Sequence, residues 1–273
     1  PSCCGGVAEG IAIDMKGDRR DFIKAVGVTA AAAAVDTVSV AGAQSADGLE
    51  GIEAFAFDAY GTLFDVFSVT ALCEELFPGY GDGLAQRWRA KQLQYSLLRS
   101  LMGRHKDFWL VTEDALVYAT KSLRLDLTQA KRGRLMQAYL TLDAFPDVRP
   151  GLEALKRQGV RLAILSNGEP RMLEAAAKSA GIDMLLDTII SVEDIRIFKV
   201  SPRVYYLGLD RLQASRTTMG FVSSNSWDIN GAGSAGLTTF WIQRSEGEPP
   251  EELGFAANRV VRAITDLPLL VRV

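Results

Sequence analysis

Residues 55–65 read FAFDAYGTLFD, in which an apolar run stops on a carboxylate, Asp58. The run begins at Ile52 and is typical of a buried strand. In open α/β sheets, ligands bind beyond the carboxyl ends of the strands, which is where Asp58 would lie. An aspartate in that place can act as a nucleophile. The stretch therefore predicts an α/β fold with a catalytic loop directly after its first strand.

Tyr60 indicates which leaving group this loop would serve. An acid two residues after the nucleophile would suit a phosphate ester, because the departing oxygen needs a proton. A departing halide needs none. Tyr60 in place of that acid therefore favours dehalogenation over phosphate-ester hydrolysis.

Composition limits the classes of protein to which the chain can belong. Its 273 residues are 48% hydrophobic, which is enough for one sizeable core, alone or with a small second domain. A net charge of -3 gives no indication of a nucleic-acid partner. Cys3, Cys4 and Cys73 show neither metal-ligand spacing nor a disulfide framework. The single histidine, His105, excludes a histidine-rich metal site and argues against a Ser-His-Asp triad.

Residues 1–43 are similar to an export signal of the twin-arginine (Tat) type. Arg19 and Arg20 are followed by the apolar run 25–35 and by a small-x-small site that ends at Ala43. The apolar run is too short to span a bilayer. The alternative is a surface amphipathic helix that begins with two arginines.

The export signal implies a particular mature protein. We expect cleavage before Gln44, and a signal of ordinary length would start at Met15, with residues 1–14 upstream of it. The mature chain would then be periplasmic, with no membrane anchor. If the segment is not a signal, a cytoplasmic location is the alternative.

From residue 52 onward, strand-like apolar runs alternate with helical patterns. The alternation predicts parallel β-α-β units with helices on both faces, a doubly wound (Rossmannoid) α/β core formed by residues 44–65 and 146–273. The expected strands are 52–57, 160–165, 188–192, 218–223, 237–242 and the weaker 259–261. The expected helices between and after them are 148–158, 170–180, 202–212, 227–235 and 264–271.

Residues 66–145 break this alternation because they contain no convincing strand. We interpret them as a helical cap subdomain inserted after the first strand. Its expected helices are 69–76, 83–102, 106–123 and 128–142.

Polar residues follow several of the expected strands. The clusters are Asp58 with Thr62, Ser166-Asn167-Gly168, Lys199, and residues 223–228, with Arg89 as a fifth on the long cap helix. Because the carboxyl ends of adjacent parallel strands lie side by side, the first four clusters can converge. Each cluster also has an ordinary alternative: Asp58 or Asp228 as a helix cap, 166–168 as a turn, Lys199 as a solvated surface residue, and Arg89 paired with an acid on its own helix.

The order of these motifs resembles that of the L-2-haloacid dehalogenases in the haloacid dehalogenase (HAD) superfamily. The matching motifs are FDAYGTLFDV at 57–66, LSNG at 165–168, Lys199 with RVY at 203–205, and FVSSNSWD at 221–228. The cap segment WRAKQLQYSLLRSLM at 88–102 is also similar. The resemblance covers about residues 52–244 and implies a HAD-like core with an inserted helical cap.

The resemblance implies hydrolysis of L-2-haloalkanoic acids to 2-hydroxy acids with inversion, without a metal or another cofactor. Asp58 would expel halide and form an ester that water then cleaves. The implied catalytic residues are Asp58, Thr62, Arg89, Ser166, Lys199, Tyr205, Ser223, Asn225 and Asp228. The implied substrate-binding residues are Ala59, Tyr60, Arg89, Leu93, Phe108, Ser166, Asn167 and Trp227, of which Arg89 and Asn167 would hold the halide.

Two positions depart from the family pattern. Phe67 stands where the family often has histidine, and Val200 and Ser201 separate Lys199 from Pro202, whereas the family usually has proline directly after the lysine. The resemblance also implies a homodimer. The alternatives are a HAD-family phosphatase and a non-catalytic protein that binds an anion or a carboxylate. A phosphatase would hold Mg²⁺ with acids where this chain has Ser224 and Asn225.

Overall fold

The computed structural model describes residues 51–271. The strands are β1 (Ala54–Phe57), β2 (Arg161–Ser166), β3 (Thr188–Ser191), β4 (Met219–Ser223), β5 (Thr238–Ile242) and β6 (Arg259–Val261). The helices are α1 (Thr70–Leu76), α2 (Gly81–Leu101), α3 (Phe108–Ser122), α4 (Gln129–Ala138), α5 (Val148–Arg157), α6 (Pro170–Ser179), α7 (Pro202–Leu212), α8 (Ser226–Ser234) and α9 (Leu267–Leu270).

The six strands form one parallel sheet in the order β3-β2-β1-β4-β5-β6, which confirms the predicted doubly wound fold. The strand order reverses beside β1, because β2 and β3 lie on one side of it and β4 to β6 on the other. Phe57, the last residue of β1, pairs with Ile164 of β2 and Val222 of β4. Asp58 therefore follows the central strand at the topological switch point, where ligands bind in this class of fold.

The centre of the sheet is buried on both faces. All four residues of β1 are buried, as expected for a parallel strand that helices cover on both sides. Phe55 packs edge-to-face on Phe240, with 5.2 Å between the ring centroids. Gly220 lies against both rings, and any side chain there would collide with Phe55. This packing fixes the strand that carries Asp58.

Helices α1 to α4 lie between β1 and α5, where the sequence predicts a helical insertion. The Asp107 side chain accepts a hydrogen bond from the N–H of Leu110, so α3 begins at Phe108 rather than at residue 106. Helix α4 ends at Ala138 rather than at residue 142, because residues 139–141 make tighter i to i−3 bonds. The predicted helix 264–271 is divided into a 3₁₀ turn, Ile264–Asp266, and α9.

The chain passes between the sheet and the four helices along two adjacent linkers. The Asp65 N–H donates to the carbonyl of Asp143 over 2.7 Å, and Phe64 forms an antiparallel bridge with Ala144. A core of 44–65 and 146–273 with a cap of 66–145 remains our proposed division.

The predicted signal, residues 1–43, lies outside the described residues. Within the described range, no helix is long and apolar enough to span a membrane. Cys73 in that range is buried and is not in a disulfide.

Candidate active site

Asp58 is held by donors on both of its carboxylate oxygens. Its Oδ1 accepts from the Lys199 ammonium over 2.9 Å. Its Oδ2 accepts from Asn225 Nδ2 over 2.8 Å, from Thr62 Oγ1 over 3.1 Å and, at the limit of a hydrogen bond, from Ser223 Oγ over 3.5 Å. These contacts fix the plane of a carboxylate that is only 5% exposed.

Lys199 bridges two buried carboxylates. Its Nζ donates to Asp58 Oδ1 over 2.9 Å and to Asp228 Oδ2 over 2.7 Å, and its side chain is fully buried. Burial alone lowers the pKa of Lys199, but the charges of Asp228 and Asp58 outweigh burial and hold the pKa above its usual value. Lys199 is therefore a permanent cation at this site, and the displacement of Pro202 to the start of α7 does not turn it away from Asp58.

Asp228, in the first turn of α8, has a distinct environment. Burial raises its pKa to about 6, against the opposing charge of Lys199. Its Oδ1 accepts from the Tyr205 hydroxyl over 2.7 Å. Gly231 permits this bond, because a side chain there would collide with the Tyr205 oxygen. A carboxylate with a pKa near neutrality is suited to act as a general base.

The loop after β2 supports Lys199 from its backbone side. Asn167 Oδ1 accepts from the Lys199 N–H over 2.9 Å, so this amide oxygen faces the protein. Ser166 is fully buried, and its Oγ accepts from the Gly168 N–H over 3.1 Å. Ser166 lies at the same sheet edge as Asp58, since β2 pairs with β1.

Arg89 on α2 is a buried cation, and no carboxylate of the described residues lies within ion-pair distance of it. Its Nη1 donates to Gln92 Oε1 over 2.8 Å, and its Nη2 donates to the carbonyl of Tyr60 over 3.1 Å. Gln92 is itself held by Thr112 Oγ1 over 2.7 Å. Burial lowers the pKa of Arg89, which the surrounding groups, Asp58 among them, counteract. A positioned guanidinium of this kind is suited to binding an anion.

Aromatic side chains form an apolar wall beside the catalytic loop. The Tyr60 ring stacks on Phe108, with 5.4 Å between centroids, and lies 6.2 Å from the Tyr139 ring. The Tyr60 hydroxyl is buried and has no hydrogen-bond partner in the described part of the chain. Burial raises the pKa of this hydroxyl well above its usual value, so the group stays neutral.

A cavity of about 430 Å³ opens at the catalytic loop, where Gly61 belongs to its lining. Its lining includes Gly61, Arg89, Leu93, Asn225 and Trp227. Asn225, which donates a hydrogen bond to Asp58, and the buried Arg89 therefore line the same cavity, and Leu93 and Trp227 add apolar surface to it. We name it the polar cavity.

The structure thus brings most of the predicted site residues together. One hydrogen-bonded network joins Asp58, Thr62, Lys199, Tyr205, Ser223, Asn225 and Asp228. Arg89, Tyr60 and Phe108 adjoin it through the Tyr60 carbonyl and ring. Leu93 and Trp227 line the polar cavity, and Ala59 is buried directly after Asp58. Ser166 and Asn167 contact the loops around the network but not Asp58 itself. The catalytic roles of these residues stay predictions.

Two supporting residues were not among the predicted site residues. A serine in this position does not by itself indicate a function. The Ser224 N–H nevertheless donates to Thr62 Oγ1 over 2.8 Å, and its Oγ donates to the Gly61 carbonyl over 2.7 Å. Gln92 fixes the Arg89 guanidinium. Its spacing of three residues from Arg89 places both on one helix face, which is the signal that could have identified it.

Arg244 is a third supporting residue, located after β5. Its Nη1 donates to Asp147 Oδ1 over 2.6 Å and its Nη2 to the carbonyl of Thr62 over 2.7 Å. Its guanidinium also lies 4.1 Å from the Phe145 ring centroid. Arg244 therefore joins the catalytic loop, at Thr62, to the segment before α5 that contains Phe145 and Asp147. No local pattern marks it.

The single histidine lies beside the site rather than in it. His105 Nε2 is 2.8 Å from Glu193 Oε2, and its ring is 4.9 Å from that of Phe198, the residue before Lys199. His105 thus joins the helical insertion to the loop after β3.

Comparisons with known proteins agree with this geometry. Residues 52–236 match the model of the haloacid dehalogenase-like hydrolases. The (S)-2-haloacid dehalogenase of Pseudomonas sp. (strain YL) is 45% identical over 222 residues, which are 80% of this chain and 95% of that protein. The (S)-2-haloacid dehalogenase 4A of Burkholderia cepacia is 40% identical over 82% of this chain and 97% of its own length.

A solved structure extends the comparison to the fold. The L-2-haloacid dehalogenase from Xanthobacter autotrophicus, with chloropropionic acid covalently bound, superposes with a TM-score of 0.76 at 38% identity. The match covers 80% of this chain and 98% of that one.

Proposed function

The chain belongs to the haloacid dehalogenase-like hydrolases, in the branch of the (S)-2-haloacid dehalogenases, and we propose that it hydrolyses L-2-haloalkanoic acids to 2-hydroxy acids through an ester on Asp58. The observation that carries this proposal is the Lys199 ammonium, which lies within 2.9 Å of both Asp58 and Asp228. It donates a hydrogen bond to the attacking carboxylate and positions the second for a later proton transfer.

In the first step, a carboxylate oxygen of Asp58 attacks C2 of the substrate from the side opposite the halogen. The new C–O bond forms as the carbon–halogen bond breaks, and the halide leaves with the bonding electron pair. Attack from the opposite side inverts C2. Arg89, and in our proposal Asn167, stabilise the departing halide. Arg89 is available for this role because no carboxylate of the described residues pairs with it.

The substrate carboxylate needs hydrogen-bond donors near Asp58. Among the described residues, the backbone N–H groups of Ala59 and Tyr60 have no hydrogen-bond acceptor. They follow Asp58 directly, and Arg89 binds the Tyr60 carbonyl. We therefore assign the substrate carboxylate to these two N–H groups, with the Ser166 hydroxyl as a third donor.

In the second step, water attacks the carbonyl carbon of the Asp58 ester. Asp228 accepts the proton of this water, which its raised pKa favours near neutral pH. The C–O bond between that carbon and the substrate oxygen breaks, and the 2-hydroxy acid departs as its oxygen takes up the proton that Asp228 accepted. The second proton of the water is then released to solvent from Asp58. Asp58 is then a carboxylate again. Asn225 and Lys199, which already donate to Asp58, stabilise the charge that develops on its oxygen.

A single-turnover experiment in ¹⁸O-labelled water tests this route. When enzyme is in excess over (S)-2-chloropropionate, the label is expected in Asp58 and not in the first lactate released, since the lactate oxygen comes from the carboxylate. Asp58→Asn should fold normally and release no halide. Label that appears directly in lactate, with Asp58 unlabelled, would refute the ester.

The phosphatase alternative is less well supported by this site. Tyr60 has a neutral, deeply buried hydroxyl in the place of a proton-donating acid. Its ring is instead part of an apolar wall with Phe108. We expect no turnover of a chromogenic phosphate ester under conditions in which (S)-2-chloropropionate is consumed. A pure anion-binding protein would retain affinity in the Asp58→Asn variant and release no halide in either form.

We also propose that the protein is exported by the twin-arginine route to the periplasm and acts there as a homodimer without a membrane anchor. Arg19 and Arg20 support the export route. The exposed apolar side chains of α2 and α3 support a dimer, among them Leu98, Leu101, Leu110 and Tyr118. N-terminal sequencing of exported protein and sedimentation analysis of the mature chain test these two points separately.

A further inference from the structure

A second cavity, of about 540 Å³, adjoins the polar cavity and has a different character. Lys199 belongs to its lining, and Leu93 and Trp227 line both cavities. These two side chains therefore separate a polar space, beside Arg89 and Asn225, from a second space that we name the apolar cavity.

Three polar side chains of the apolar cavity, Ser96, Asn230 and Ser234, are hydrogen-bonded within the protein. Ser96 Oγ donates to the Leu93 carbonyl over 2.8 Å, and Ser234 Oγ donates to the Gly231 carbonyl over 2.7 Å. The Asn230 side-chain amide donates to the carbonyls of Ser226 and Glu251 and accepts from the N–H of Phe255. A ligand in this cavity therefore meets few free hydrogen-bonding groups.

The apolar part of the lining is partly open to solvent, and the exposed Gln94 also lines the cavity. The large apolar side chains of the lining are those of Leu93, Leu97, Val200, Trp227, Leu253 and Phe255. Leu97, Leu253 and Phe255 are 45%, 61% and 46% exposed. Large apolar side chains clustered at the rim of a cavity are typical of a binding site for an apolar group.

We propose that the apolar cavity binds the alkyl chain of long-chain 2-haloacids, so that the preferred substrates have tails well beyond a methyl group. This inference rests on the proposed function, which places the substrate carboxylate at Ala59 and Tyr60 and C2 at Asp58. In that pose the C2 substituent faces the predicted wall of Leu93 and Trp227. A longer substituent passes that wall and reaches the apolar cavity.

The test is a homologous series of (S)-2-bromo acids, from propanoate through hexanoate to decanoate, kept below their micelle concentrations. Each methylene that the cavity removes from water is expected to raise kcat/KM by up to about fourfold, mainly through KM. Turnover of (S)-2-bromopropanoate, the shortest acid of the series, tests the proposed function separately. A flat or falling series with good propanoate turnover would overturn the alkyl-chain proposal alone.

Two variants place the effect in the cavity. Leu97→Glu introduces a charge at the rim from α2, and Ser234→Trp fills the space from α8. Either is expected to abolish the rise of kcat/KM with chain length, whereas Leu269→Glu, at a residue that is 82% exposed and outside the cavity lining, should retain it. The proposal is overturned if the folded variants keep the wild-type dependence of kcat/KM on chain length. A Leu97→Glu variant that changes its oligomeric state but keeps this dependence overturns it as well.

Discussion

Replacing Lys199 by methionine removes the charge that separates two buried carboxylates and leaves a side chain of similar length. Two charge-assisted hydrogen bonds, of 2.9 and 2.7 Å, are lost. Breaking a buried pair by removal of one partner costs about 3–5 kcal/mol. We therefore expect the free energy of unfolding of Lys199→Met to fall by about 3–5 kcal/mol at pH 8, since Asp58 and Asp228 then face each other without a counter-charge.

This loss should depend on pH in a defined direction. Like charges and burial disfavour ionisation, so the carboxylate pair of the folded variant binds a proton that the unfolded chain does not bind near neutral pH. The folded variant is then stabilised as pH falls. Between pH 8 and pH 5, the difference from wild type should shrink by on the order of 1–2 kcal/mol.

Urea unfolding followed by circular dichroism at pH 8 and pH 5 measures both quantities. Lys156→Met is the matched control, because Lys156 pairs with Asp187 at the surface and both side chains are 38% exposed. That substitution should cost less than about 1 kcal/mol at either pH. A loss for Lys199→Met below about 1 kcal/mol at pH 8, or an equal loss at both pH values, would refute the reasoning.

Three further outcomes are expected. In Tyr205→Phe, Asp228 loses a donor and its pKa, already raised by burial to about 6, rises further; Asp228 must be ionised to accept a proton, so the acid limb of the pH–kcat profile should move up by about one pH unit. An unmoved limb would contradict the assigned base. Arg244→Lys keeps the charge but cannot make both of its hydrogen bonds, and kcat should fall by about tenfold, whereas Arg211→Lys at an exposed ion pair should have no effect. Activity should survive EDTA, because Asp58 and Asp228 are already paired with Lys199 and Ser224 and Asn225 add no carboxylate ligand beside them; loss in EDTA that Mg²⁺ restores would favour a phosphatase.

The features that the sequence predicts best are those that depend on local pattern and sheet topology. Apolar runs define the strands because buried parallel strands need no polar face. Asp58, Ser166 and Ser223 converge because β1, β2 and β4 are adjacent and parallel, so their ends meet at one edge.

The features that it misses depend on contacts between distant elements. Arg244 lies 182 residues from Thr62, and nothing around either residue indicates that a guanidinium donates to that carbonyl. The end of α4 is also missed, because the apolar pattern continues through Tyr139 and Leu142 while the backbone already turns. Packing, rather than periodicity, decides both.

The four ionised groups at the centre of the molecule have a consequence for the resting enzyme. Asp58 and Asp228 carry two negative charges, and Lys199 and Arg89 carry two positive ones, so the charges of these four side chains cancel. When Asp58 becomes an ester, the negative charge that it loses is carried away by the halide. The chemistry of the first step thus only relocates charge, and the surrounding dipoles need little rearrangement while it occurs.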